Sequence, residues 1–159
     1  MASTITAAAL TVSISESLTL NGVQQGGSNT FTISSINEIS KRILTITTNE
    51  STIATMSGAV GSAGHFNDSF VRYMRFTNLD GTNHVTLTFR NQDNDEFAIK
   101  VDAGNTLAIY ADNSGGMVGM FNATQDADAA SDTALGSITN IQADAGASTV
   151  QIEMFVAST

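Results

Sequence analysis

Between residues 70 and 112, apolar and polar side chains exchange at nearly every step through four short segments, 70–77, 84–90, 96–102 and 106–111, which compact polar turns separate. A two-residue period belongs to a β-strand with one buried face, so this stretch predicts an antiparallel meander laying one apolar face on a core. In the second segment Val85, Leu87 and Phe89 share a face opposite Thr86, Thr88 and Arg90. In the third, Phe97, Ile99 and Val101 oppose Glu96, Ala98, Lys100 and Asp102. Asp80-Gly81 in the turn 78–83, and a Gly104 suited to positive φ in the turn 103–105, are hairpin signals.

The flanks carry the same signal in shorter pieces. Leu10, Val12 and Ile14 alternate with hydroxyl residues, a Ser-Glu-Ser break precedes Leu18 and Leu20, and Asn21-Gly22 makes a turn. Residues 24–29 read as a flexible loop, and Phe31, Ile33 and Ile36 mark the next strand. The β-branched run within 39–48 favours strand over helix, and 52–56 is a further short strand. Residues 58–69 and 113–119 are Gly-rich loops, and 125–133 is an Asp/Ala string compatible with a helical turn or a long insertion. Strands at 138–143 and 149–157 close the chain, the latter with Val150, Ile152, Met154 and Val156 on one face. About ten short strands with polar turns imply an all-β fold, an antiparallel β-sandwich or jelly-roll-like barrel with long Gly/Ala/Asp-rich loops. Residues 1–9 are expected to form a flexible arm, since Ile5 supplies little burial to offset ordering, and 10–159 a single domain.

Composition narrows the function classes. With no Cys among 159 residues, the domain must hold by packing and hydrogen bonds, without disulfides or thiolate metal sites. A formal net charge of -9, with the bases Lys41, Arg42, Arg72, Arg75, Arg90 and Lys100 scattered, argues against nucleic acid or an anionic membrane as partner. No basic segment leads into an apolar run at the start, and no apolar run approaches the ~20 residues that cross a bilayer, so a soluble protein made without a Sec-type signal is expected. Charged residues are only 13% and the chain is rich in Thr, Ser, Asn, Ala and Gly, a surface suited to packing against other protein.

Candidate chemistry is thin. His65, with Asp68, Ser62 and Ser69 nearby, and His84 are the only histidines; a triad from them lacks a nucleophile elbow, and two histidines are few for a transition metal. Asn91, Asp93, Asp95 and Asp102 have the spacing of a Ca²⁺ loop, but Glu96 stands where such loops need Gly and Asp102 is shorter than the bidentate Glu. Gly26-Gly27 and the glycines of 115–119 lack the Lys-Ser/Thr ending of a phosphate loop. Glu38 with Glu50, or Asp93 with Glu96, would serve as a glycosidase pair only beside aromatic platforms, and the chain has no Trp and two Tyr. Sequons at Asn49, Asn67 and Asn122 are expected by chance in so Asn- and Thr-rich a chain. No catalytic, metal or cofactor-binding residue is therefore assigned, and no enzyme activity or cofactor is expected.

The segment 69–87, with Arg75-Phe76-Thr77-Asn78-Leu79-Asp80 at its centre, and the segment 97–105, with Ala103-Gly104 at its corner, resemble a module of small virion structural proteins of tailed bacteriophages of marine and cyanobacterial type. The resemblance covers about a quarter of the chain. It implies a β-sandwich virion component, foremost a capsid decoration (cement) protein made in the host cytoplasm and carried on the virion surface. Its implied partners are the major capsid protein and sister subunits in a dimer or trimer. A tail or neck adaptor, or a fibre-associated receptor-binding module, is the alternative.

Overall fold

A computed structural model describes residues 5–57, 63–110 and 138–159. The expected Gly-rich loop at 113–119 and the Asp/Ala string at 125–133 lie outside the described residues, as do Ser62 and Asn122. The described chain is all β, with the strands β1 Ala8–Ser15, β2 Thr19–Leu20, β3 Val23–Gln24, β4 Ser28–Ile36, β5 Glu38–Ile46, β6 Ser51–Met56 and β7 His65–Phe66. The remaining strands are β8 Val71–Asn78, β9 Val85–Asn91, β10 Glu96–Val101, β11 Thr106–Tyr110, β12 Ile138–Ala145 and β13 Val150–Ser158. Ala8 and Ala9, the end of the expected arm, belong to β1.

Two sheets, in the orders β10-β9-β12-β6-β7 and β11-β8-β13-β5, form a sandwich-like body. All described pairings are antiparallel except β6 with β7. The alternation read from the sequence supplies the core: Val85, Leu87 and Phe89 from one sheet meet Met74, Phe76, Ile152 and Met154 from the other. Phe76 and Phe89 make an edge-to-face contact across the interface at 6.4 Å between centroids, and Phe97 stacks on Phe89 at 4.8 Å. A register shift near Arg72 puts both Val71 and Met74 in the core while Tyr73 faces outward.

The expected meander is not formed. β8 pairs with β11 and β13, whereas β9 pairs with β10 and β12, so the turn 78–83 carries the chain from one sheet to the other and 102–105 brings it back. Only β9 and β10 make a hairpin within that run. The two crossings lock together through Asn78, which is almost fully buried. Its Nδ2 donates to the Asn83 carbonyl (2.9 Å) and the Val101 carbonyl (3.1 Å), and its backbone N–H donates to the Asn105 carbonyl (2.9 Å). Asp80 holds the first corner by accepting from the N–H groups of Thr82 (2.7 Å) and Asn83 (2.6 Å). Gly104 does adopt the positive φ expected of it, at 72°, but at a corner between sheets rather than in a hairpin.

Residues 24–29, expected as a flexible loop, instead complete a long two-stranded ribbon. Leu10 pairs with Ile33, Val12 with Phe31 and Ile14 with Asn29, and Leu20 with Val23. The same offset holds between them, where Glu16 N–H donates to the Gly27 carbonyl and Gln25 N–H to the Leu18 carbonyl, both at 2.8 Å. Asn21 and Gly22, at φ 51° and 79°, close the ribbon in a two-residue turn of type I′ sense.

Candidate functional site

The histidines are placed by the scaffold and kept apart from each other by topology. His84 sits at the β8–β9 corner, and Gly146 is bare beneath it: a Cβ there would lie 2.2 Å from the imidazole. His65 lies in β7, at the edge of the five-stranded sheet, lining a cleft of about 360 Å³ with Arg42, Thr45, Ser51, Thr52 and Thr55. Arg42 points inward from β5, with its guanidinium 5.8 Å from the centre of the Phe66 ring and its Nη2 3.5 Å from the Ile53 carbonyl. It spans from the four-stranded to the five-stranded sheet at the open side of the sandwich. Asp68, expected near His65, accepts from Ser69 Oγ at 3.3 Å, while Asn67 Oδ1 takes the Ser69 N–H, the pattern of a local turn.

The oxygen ligands that suggested a cation loop do not converge. Asn91 is buried, and its Oδ1 accepts from the N–H groups of Asp93 and Asp95, both at 2.9 Å, so that oxygen is committed to building the β9–β10 turn. Glu96 takes both Nε and Nη2 of Arg90, at 2.9 and 2.7 Å. Asp102 follows the far end of β10 and pairs with Lys100 at 2.9 Å. Among the described residues no three His, Cys, Asp or Glu side chains are grouped to hold a metal. Of the acid pairs, Glu38 opens β5 and Glu50 follows its other end, while Asp93 accepts from Gln92 and Glu96 from Arg90. Gly26 and Gly27 belong to the ribbon, with Gly26 facing the Glu16 carbonyl so closely that a Cβ would lie 2.2 Å from it. Asn49 accepts from Thr47 Oγ1 through its carbonyl in an exposed turn.

What the fold does assemble is a surface. The constant offset of the ribbon gives it two faces. Thr11 with Thr32, Ser13 with Thr30, Ser15 with Ser28 and Thr19 with Gln24 make one polar face, on which Ser13 and Thr30 hydroxyls bond at 3.0 Å. Leu10, Val12, Ile14, Glu16, Leu18 and Leu20 share the other face with Ile33, Phe31, Asn29, Gly27, Gln25 and Val23, so that face is apolar at its base and mixed toward the turn. Near its base that apolar face covers the outer side of the four-stranded sheet, where Ile33 and Ile36 pack on Tyr73 and Ala157 and Phe31 meets Tyr110 at 4.4 Å. Beyond Val12 nothing described lies beneath it: Ile14 is 44%, Leu18 56%, Leu20 58% and Val23 57% exposed. Glu16 is the single charged residue between positions 5 and 37.

Beside the covered part of the outer sheet lies an uncovered part on β5. Ile39, Lys41 and Ile43 point outward there, next to Ala157, Phe155 and Glu153 of β13. Glu153 is shared between Lys41 Nζ (3.0 Å) and the Arg75 guanidinium, and its bond from Lys41, aided by the charges of Lys41 and Arg75, holds its carboxyl below the usual carboxylate range. The three groups together carry one net positive charge on a chain of net charge -9.

The ribbon was legible in part. Leu10, Val12 and Ile14, the Ser-Glu-Ser break at which β1 ends and the Asn21-Gly22 turn all stand out; what the sequence does not show is that the pairing offset continues across the break, through the bonds of Glu16 with Gly27 and of Gln25 with Leu18. Comparison with family models, with curated proteins and with solved structures finds no match to this chain.

Proposed function

We propose that this protein is a non-enzymatic virion structural component, a decoration protein that packs on the head lattice of a tailed phage. The observation that carries the reading is the ribbon: a projecting β layer with a single charge and four exposed aliphatic side chains, which offers contact area and no reactive group. Decoration needs a rigid body and attachment surfaces that stay exposed until a neighbour arrives, and the described chain divides in that way. The resemblance of residues 69–87 and 97–105 to phage virion modules supports the choice of lattice. On this reading the major capsid protein and sister subunits are the partners, and the protein resides on the capsid surface.

Imaging of intact particles with an antibody to the chain, together with a copy count by quantitative mass spectrometry, tests the proposal. Hundreds of copies spread over the head are expected. A dozen or fewer at one vertex or on the tail would replace decoration by an adaptor or receptor-binding role, and hydrolysis of a glycan by the purified chain would replace both.

A further inference from the structure

We infer that the distal half of the ribbon docks on the outer face of β5 in a second copy of this chain. The inference goes beyond decoration, since it concerns what the free protein does with itself and holds whether or not a capsid is present. Its base already shows the mode of packing, because the same apolar face at Leu10, Val12, Phe31 and Ile33 lies on the outer side of the same sheet within one molecule. The distal half continues that face past the edge of its own support, while the same sheet leaves Ile39 61% and Ile43 62% exposed.

The two uncovered surfaces match in period and in charge. Ile14, Glu16 and Leu18 repeat apolar, acidic, apolar at two-residue spacing along one arm of the ribbon, from the end of β1 into the segment before β2. Ile39, Lys41 and Ile43 repeat apolar, basic, apolar at the same spacing along β5. Laid face to face, the one carboxylate of the ribbon meets the Lys41, Glu153 and Arg75 group, whose net charge is opposite. Nothing else described on the ribbon is charged, and Asn29, Gly27 and Gln25 stand beside Ile14, Glu16 and Leu18, so an occupant of the ribbon needs apolar side chains on either side of one cation with polar groups alongside, and β5 presents Ile39, Lys41 and Ile43 next to Glu153 and Arg75.

Area is sufficient if the exchange is reciprocal. The ribbon from Ser13 to its turn is about 25 Å long and 10 Å wide at strand dimensions. Two such faces and the two faces that receive them amount to about 1,000 Å², the lower end of specific interfaces. Two-stranded hairpins are marginal alone, so a cover for the distal half also adds order to it.

Sedimentation velocity on the full-length protein over a wide concentration range tests the inference. Wild type should self-associate reversibly, and Glu16→Lys and Lys41→Glu should each weaken association by about tenfold through like-charge contact. The double variant, with the charges exchanged, should recover most of the loss. Both sites are exposed, and unchanged β-sheet circular dichroism verifies folding; Leu18→Ser, which leaves charge alone, should weaken association as well. A wild-type chain that stays monomeric at every concentration overturns the inference, whether or not it binds capsids through the ribbon. Association that persists undiminished in both single variants, or a double variant no better than the singles, overturns it equally.

Discussion

The base of the ribbon and its distal half both carry aliphatic residues at the even positions of their first arm and hydroxyl residues at the odd ones, but among the described residues only the base lies on something. Ile33 and Ile14 share one face, with Ile33 buried against Tyr73 and Ala157 and Ile14 nearly half exposed. Alternation therefore specifies that a strand is two-sided; whether either side is buried depends on what the rest of the chain places opposite it. The sandwich is the limit in which both layers find each other, and the tip of the ribbon is the limit in which one does not.

The sharpest way to break this contrast is in the sandwich itself. Leu87→Asp puts a carboxylate where a fully buried side chain meets the opposite sheet, at a cost of several kcal/mol against a typical total of ~5–15. The expected outcome is a chain without native β-sheet circular dichroism, and a soluble, native-like variant would show that β9 does not face the core with Leu87.

The same substitution made on the two sides of the boundary at Val12 then compares the halves of the ribbon directly. Ile33→Thr should lower stability by about 2–4 kcal/mol in urea unfolding, from lost burial and an added hydroxyl in the cluster with Tyr73 and Ala157. A loss below about 1 kcal/mol would mean that the base of the ribbon lifts freely from the sheet.

A smaller effect is expected at the corner that replaced the anticipated hairpin turn. Hydrogen bonds from the backbone of Asn83, then of Thr82, hold the Asp80 carboxyl below its ordinary range. A carboxyl with its folded pKa lowered stabilises the fold above the unfolded value, near 3.9, and that contribution is lost as the pH falls through the folded pKa. Asp80→Asn keeps an acceptor but no charge, so it should melt lower than wild type at neutral pH, with the gap closing as the pH drops below about 4. A gap that is constant with pH would assign the effect to shape rather than to charge.

This corner also shows where reading the sequence stops. The faces of β9 and β10 are legible, because the buried positions Leu87, Phe89 and Val101 fall on the alternation, whereas the shift near Arg72 that buries both Val71 and Met74 in β8 has no local signal. The partners of these strands are not legible either, because a polar turn with Asp-Gly serves a hairpin or a crossing between sheets equally well. What decides is Asn78, whose buried amide needs the carbonyls of Asn83 and Val101 and so ties one crossing to the next. That requirement depends on residues far apart in the chain, which no local window contains. For the ribbon the limit is of another kind: β1 ends before Glu16, as the Ser-Glu-Ser break predicts, but the bonds from Glu16 to Gly27 and from Gln25 to Leu18 that carry the pairing past the break depend on the opposite arm.

The smallest effect on stability is expected from Ile14→Thr, the counterpart of Ile33→Thr on the same face. Threonine keeps the branched β-carbon that suits a strand, and Ile14 has little burial to lose in one molecule, so dilute protein should unfold within about 0.5 kcal/mol of wild type. At concentrations where the chain associates, the same variant should shift the equilibrium toward monomer, because its side chain then loses cover it had gained from the neighbour. The two measurements separate the two halves of the ribbon, since Ile33→Thr is expected to act on folding at any dilution and Ile14→Thr only where a second copy covers it. If Ile14→Thr destabilises the dilute protein as much as Ile33→Thr does, the distal half is covered within its own molecule, and the division between a packed base and an open tip does not hold in solution.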